Sequence, residues 1–203
     1  MRLSRLPGRY SERGSTGSMD TLYRLKTEHL AVEPSLRGLK TLLWPDPMSE
    51  SVPEYARMRT YVLLDGARDE RIVQKIHYYE CAHECLFFGD IPEELAEVAP
   101  YLVELEPVGW FSSWLISEGW GDSWGIYVQS YADLETLRRH FRRYLRVKSP
   151  DGENLFFRYY DPRVLRVYLP TCDSRELEYV FGPVKNFIVE SEEPGSVQTY
   201  TRV

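Results

Sequence analysis

The sequence predicts an α/β domain, a layered sheet with helices, on three observations. Short runs rich in aromatic and β-branched residues, such as 60–64 and 124–128, alternate with segments of helical periodicity. Glycine- and proline-containing turn signals separate them. The composition, 43% hydrophobic and 28% charged over 203 residues, is that of a globular chain. A mixed α+β arrangement is the alternative, because one sequence does not fix strand order.

The elements follow in chain order. Thr60-Tyr61-Val62-Leu63-Leu64 reads as a strand ended by the turn signal Asp65-Gly66. Residues 67–79 read as a helix, with Ile72, Val73, Ile76 and Tyr79 at helical spacing. Cys85-Leu86-Phe87-Phe88 reads as a short buried strand. Pro92 opens a small helix, where its missing N–H does no harm and Glu93 and Glu94 suit the helix dipole. Residues 101–105 form a third strand candidate. A helix over 110–117 places Trp110, Trp114 and Leu115 on one face. Residues 124–128 alternate as a strand, and Ser130 or Asp133 can cap a strong helix over 134–146. Pro150-Asp151-Gly152 is a turn, and 154–160 is a strand. Pro162 opens a helix that Pro170 stops. Residues 174–181 form a further helix ended by Gly182-Pro183, and 187–189 a last strand. The tail over 190–203 is acidic, then polar, and reads as loose.

Composition excludes some functions. The formal net charge of −6 removes a chain-wide electrostatic case for nucleic acid. Three cysteines, an odd number, do not form a disulfide framework and point to a reducing compartment. No apolar run approaches the roughly 20 residues needed to span a bilayer. The basic start lacks the apolar core of a secretory signal, and Gly14-Ser15-Thr16-Gly17-Ser18 before the internal Met19 reads as flexible, so residues 1–18 read as a disordered or cloning-derived leader. Residues 19–59 are an N-terminal extension, and the main domain covers 60–189.

Two constellations carry charge. In Phe157-Arg158-Tyr159-Tyr160-Asp161-Pro162-Arg163-Val164-Leu165, an aromatic strand runs into a helix start. Asp161 is placed to cap that helix through the amides of Arg163 and Val164. Arg158 and Arg163 then either pair with nearby carboxylates or, with Asp161, hold a partner peptide, since arginine is enriched at such anchors. No second titratable group stands nearby for acid–base work. In the 134–146 helix, Arg138, Arg139, Arg142, Arg143 and Arg146 share an arc opposite Leu134, Leu137, Phe141, Tyr144 and Leu145, with His140 at the border. That arc is either a solvated face with acidic neighbours such as Glu135 or a contact for an acidic protein partner.

Cys81, His83, Cys85 and Cys172 invite a zinc reading, but the spacing fits no standard knuckle, and no metal is assigned. Phosphate loops, Gly-x-Ser-x-Gly and His-Glu-x-x-His are absent.

Several segments, taken in order, resemble one family. They are Tyr61-Val62-Leu63-Leu64-Asp65-Gly66-Ala67, Cys85-Leu86-Phe87, Ala99-Pro100-Tyr101-Leu102-Val103-Glu104-Leu105, Trp114-Leu115 and Trp124-Gly125-Ile126. Leu137-Arg138-Arg139-His140-Phe141-Arg142, the 157–165 junction and Phe181-Gly182-Pro183 complete the set. Together they resemble the type VI secretion effector-adaptor (effector chaperone) family, catalogued as a domain of unknown function. The resemblance implies a cytoplasmic bacterial protein with no cofactor and no catalytic residues. Its implied partners are a toxic effector and the VgrG spike, not nucleic acid or a membrane. It marks Arg138, Arg139, His140, Arg158, Asp161 and Arg163 as hallmark positions, and these, with Arg142 and Arg143 of the arginine arc, are the positions to test for partner binding. Family members often continue well past the Phe-Gly-Pro segment into a variable region that selects the effector, whereas this sequence continues about twenty residues. The alternatives are an enzyme of unrecognised hydrolase type with His140 or His83 as base, and a basic-helix nucleic-acid module.

Overall fold

The structure, a computed structural model, describes residues 23–31, 36–45, 57–148 and 153–203. Its elements are β1 (Leu25–Ala31), α1 (Leu36–Leu43), β2 (Arg59–Asp65), α2 (Arg71–Tyr78), β3 (His83–Cys85), α3 (Glu93–Ala96), β4 (Pro100–Leu105) and α4 (Trp110–Gly119). Then come β5 (Gly125–Ser130), α5 (Leu134–Arg142), β6 (Arg146–Lys148), β7 (Asn154–Phe156), α6 (Pro162–Tyr168), α7 (Ser174–Phe181), β8 (Val184–Glu190) and β9 (Ser196–Arg202). Seven strands form one sheet in the order β1-β9-β8-β5-β2-β4-β3, and every pairing is antiparallel. β6 and β7 form a separate two-stranded ribbon.

The expected mixed α/β layering is what the chain adopts. Side chains alternate across a strand, so the two faces can be sorted by residue. Tyr61, Leu63, Leu102, Ile126, Val128, Phe187, Val189 and Tyr200 point to one core, which α5, α6 and α7 cover with Leu137, Phe141, Leu165, Leu177 and Phe181. Val62, Leu64, Tyr101, Val103, Leu105, Tyr127, Ile188 and Val197 point to the other, covered by α1, α2 and α4 through Leu39, Leu43, Ile72, Ile76, Phe111 and Leu115. Burial on both faces explains why β2 reads as an unbroken apolar run.

Several expected boundaries shift. The strand at 85–88 spans His83–Cys85 instead, and Phe88 is exposed. The helix expected over 67–79 starts at Arg71. The helix expected over 134–146 stops at Arg142; Tyr144 and Leu145 stay buried because the chain turns there into β6. The strand at 154–160 ends at Phe156, and Tyr159 and Tyr160 are buried in a turn. α6 ends at Tyr168, just before Pro170 as expected, and Pro170 sits in a following 3-10 turn, Leu169–Thr171. Trp110 points to solvent, away from the face of Leu115.

The largest correction concerns the tail. Residues 196–202 are not loose but form β9, hydrogen-bonded to β8 on one side and β1 on the other, with Val197 and Tyr200 fully buried. Residues 19–59 contribute β1 to the sheet edge and α1, with Leu39, Leu43 and Trp44, to the second core. The leader over 1–18 and the turn at Pro150-Asp151-Gly152 lie outside the described residues.

Candidate partner-binding site

The junction forms because Asp161 holds an extended backbone just before Pro162 at the start of α6. Its Oδ1 accepts the Arg163 amide at 2.9 Å, which is the expected cap through one of the two amides foreseen; the Val164 amide bonds the Asp161 carbonyl instead. The same carboxylate accepts from Arg163 Nε at 2.9 Å and from Nη2 at 2.5 Å. Burial alone would raise the Asp161 carboxyl, but the hydrogen bonds from the Arg163 side chain and amide outweigh it and hold the group below its usual value.

A second carboxylate completes the cluster. Asp65 ends β2 with 2% of its surface exposed, and its Oδ2 accepts from Arg158 Nη2. The other oxygen accepts the Ala67 amide at 3.2 Å, closing the Asp65-Gly66 turn. The hydrogen bond to Asp65 raises Arg158 above its usual value. Arg68 donates to the Asp122 carbonyl at 2.7 Å, and its charge also favours ionised Asp161. The two arginines that hold the carboxylates are 47% (Arg158) and 53% (Arg163) exposed at their side chains. Two buried anions therefore fix two half-exposed guanidiniums, each with forked donors suited to carboxylate or phosphate groups. Asp65 and Arg68 were not singled out as site residues in the sequence, because their partners lie 93 and 54 residues away.

The α5 arginines divide. Arg138 bonds Glu84 at 3.1 Å and Glu135 at 3.3 Å, and Arg139 pairs with Glu135 at 3.6 Å. Arg142 donates to the carbonyls of Cys85 at 2.9 Å and Phe87 at 2.7 Å, fastening α5 to edge strand β3. Arg143 is exposed and, among the described residues, has no ion pair. Arg146 has left the helix and lies in β6.

His140 is not on this surface. It is 5% exposed, with Nε2 2.9 Å from the Val180 carbonyl and its ring edge-on to Phe141 and Tyr144. A carbonyl can only accept, so Nε2 carries the proton. Burial pushes its pKa down to about 4. A partner-binding or general-base role for His140 therefore lacks the access such a role needs. The other base candidate, His83, has Nδ1 2.7 Å from the Cys81 carbonyl and packs edge-on to His77.

The cysteines fall on opposite sides of the sheet. Cys172 packs on the core under α6 and α7, while Cys81 and Cys85 pack on the other. The sheet between them rules out a shared Cys₃His site. Burial pushes Cys81 up to about 11 and Cys172 to about 12, so neither is an activated thiolate.

The fold and junction define a mixed α/β domain that presents positively charged hydrogen-bond donors on buried carboxylate anchors. Residues 60–179 match the family described as "Domain of unknown function (DUF4123)". The chain belongs to this family, the type VI secretion effector-adaptor family that its motifs resemble. It is also 29% identical over 115 residues to "Accessory protein VasW" of Vibrio cholerae serotype O1, an alignment covering 56% of this chain and 38% of that protein. The chain thus spans well under two thirds of that relative's length. No solved structure matches it. Among the described residues, no helix is long and apolar enough to cross a membrane.

Proposed function

We propose that the chain is a cytoplasmic, non-catalytic adaptor that binds a type VI secretion effector and helps load it onto the VgrG spike. The observation that carries this reading is the junction, where buried Asp65 and Asp161 hold Arg158 and Arg163 half-exposed. Both carboxylates are committed to arginines, which leaves the cluster suited to binding and without an available base. Membership of the adaptor family and the "accessory" name of the relative support the same reading. The exposed α5 arginines, Arg139 and Arg143, are a second contact for an acidic partner surface.

Affinity capture from the native cytosol, with the secretion genes expressed and the captured proteins identified by mass, tests this. An effector toxin or a VgrG subunit at stoichiometric levels is the expected result. A folded bait that captures neither overturns the reading.

A further inference from the structure

The two ends of the seven-stranded sheet are finished differently. β3 is three residues long, and Arg142 takes the carbonyls of Cys85 and Phe87 beside it. At the other end, β1 runs for seven residues and, among the described residues, pairs with β9 alone. Arg24 and Val203 exchange both backbone hydrogen bonds, at 2.8 and 2.9 Å. Successive residues of an antiparallel strand bond to alternate sides. Arg24, Lys26, Glu28 and Leu30 therefore bond β9, and the N–H and C=O groups of Leu25, Thr27 and His29 point outward. Ser174 Oγ accepts the outward Tyr23 amide at 2.8 Å, so the open stretch starts at Leu25. Such an edge is a ready template for another strand. Its side chains are exposed as well, Lys26 by 53%, Glu28 by 49% and Leu30 by 44%.

We propose that two copies of the chain pair through β1, antiparallel about a two-fold axis at Thr27, and join their sheets into one. The inference does not rest on the adaptor reading. Hydrogen bonding limits the register. Outward residues must face outward residues, so the axis passes through a residue and not between two. Charge then selects the residue. Lys26 and Glu28 lie on one face of β1, with Nζ 2.9 Å from Oε1. An axis at Lys26 or Glu28 sets that residue directly against its own copy, which is unfavourable. An axis at Leu25 runs into the Ser174 contact, and one at His29 sets each Glu28 against Leu30. An axis at Thr27 sets Lys26 against Glu28 twice, in the non-hydrogen-bonded pairs where side chains come closest. The charges then alternate in sign across the seam. Leu25 exchanges backbone bonds with His29 on either side of the axis, and Thr27 does so with its own copy. A lysine on an edge strand ordinarily repels a second copy. Glu28, two residues on, turns that repulsion into complementarity. Each copy gives the same edge to the other, so the assembly closes at the dimer.

Sedimentation equilibrium of the full chain at concentrations up to about 1 mM tests this, since a single strand pair makes a small interface of the weak class. A monomer–dimer equilibrium is expected. Lys26→Glu and Glu28→Lys each set like charges opposite one another twice and change only an exposed side chain. Each is expected to weaken the dimer about tenfold or more at unchanged melting temperature. Mixing the two variants restores complementary pairs, so a heterodimer is expected. Thr27→Pro removes an outward amide that β9 does not use, and is expected to abolish the dimer. Thr27→Cys is expected to cross-link to its own copy on oxidation, because residues paired in this way lie within disulfide range. A chain that stays monomeric over the whole range overturns the proposal. So does a dimer that both charge variants retain, or faster cross-linking by Lys26→Cys or Glu28→Cys than by Thr27→Cys. If the chain is monomeric and Thr27→Pro loses capture of effector or spike, the edge takes a partner's strand instead, and the proposal is likewise overturned.

Discussion

Gly182 lies against the imidazole of His140, so that a Cβ added there would come within 2.7 Å of Nδ1. The same glycine ends α7 with a φ of 45°, a conformation that side chains disfavour. Gly182→Ala therefore combines backbone strain with a clash against a buried ring. Its expected cost is about 1–3 kcal/mol in denaturant unfolding. A variant as stable as the parent would show that α5 can withdraw from α7 freely.

The buried imidazole makes stability depend on pH. Its folded pKa is about 4 against 6.5 unperturbed, so the unfolded chain takes up the proton first. The contribution is complete above about pH 6.5 and is lost as pH falls toward about 4. At about 1.4 kcal/mol per unit, it is about 3 kcal/mol. Asp161, whose pKa is also depressed, loses its contribution in the same direction at lower pH. His140→Gln is expected to flatten the slope between pH 7 and 4. Parallel pH profiles for parent and variant would disprove the assignment.

The Asp65–Arg158 pair should respond unequally to its two halves. Arg158→Ala leaves a buried carboxylate without its cation, a change expected to cost about 3 kcal/mol or more. Asp65→Asn leaves Arg158 half-exposed and free to turn to water, and should cost less. Urea unfolding of both variants reads the difference; equal losses would contradict it.

Charge reversal separates scaffold from contact on α5. Arg139→Glu with Arg143→Glu should weaken capture of an acidic partner more than the matching alanines, and more at low salt. Unchanged affinity in the folded double variant would remove these residues from the contact.

The thiols should be quiet. With Cys172 pushed up to about 12 and Cys81 to about 11, alkylation at pH 8 should be slow in the folded chain and fast after unfolding. Rapid labelling of the native protein would show that these sites open readily.

Local signals were the legible part. Gly182 ends α7 as expected, because a glycine at positive φ acts within a few residues, whereas the Asp173 capping box at the other end of the helix was not read from the sequence. Asp161 capped its helix by an equally local contact. The other failures depend on distant contacts. Val197, Thr199 and Tyr200 are strand formers, but an acidic turn and polar neighbours hid them, and they are buried only because β1 and β8 flank them. Tyr144 and Leu145 kept the helical spacing while the ribbon with β7 bent the chain away. His140 looked like a border residue, and it is α7, 40 positions on, that buries it. At the site, Asp161 and Arg163 were readable as neighbours, whereas Asp65 came to Arg158 only through the fold.

The strand order bears on how this family is handled at the bench. The matched segment, 60–179, ends before β8, which joins β5 to β9, which in turn carries β1. An excised 60–179 fragment would lose three adjacent strands and, with them, Phe187, Val189 and Tyr200 from one core and Ile188 and Val197 from the other. The sequence signature is thus smaller than the cooperative folding unit, and a truncation drawn at its borders would expose an unfinished sheet edge prone to aggregation.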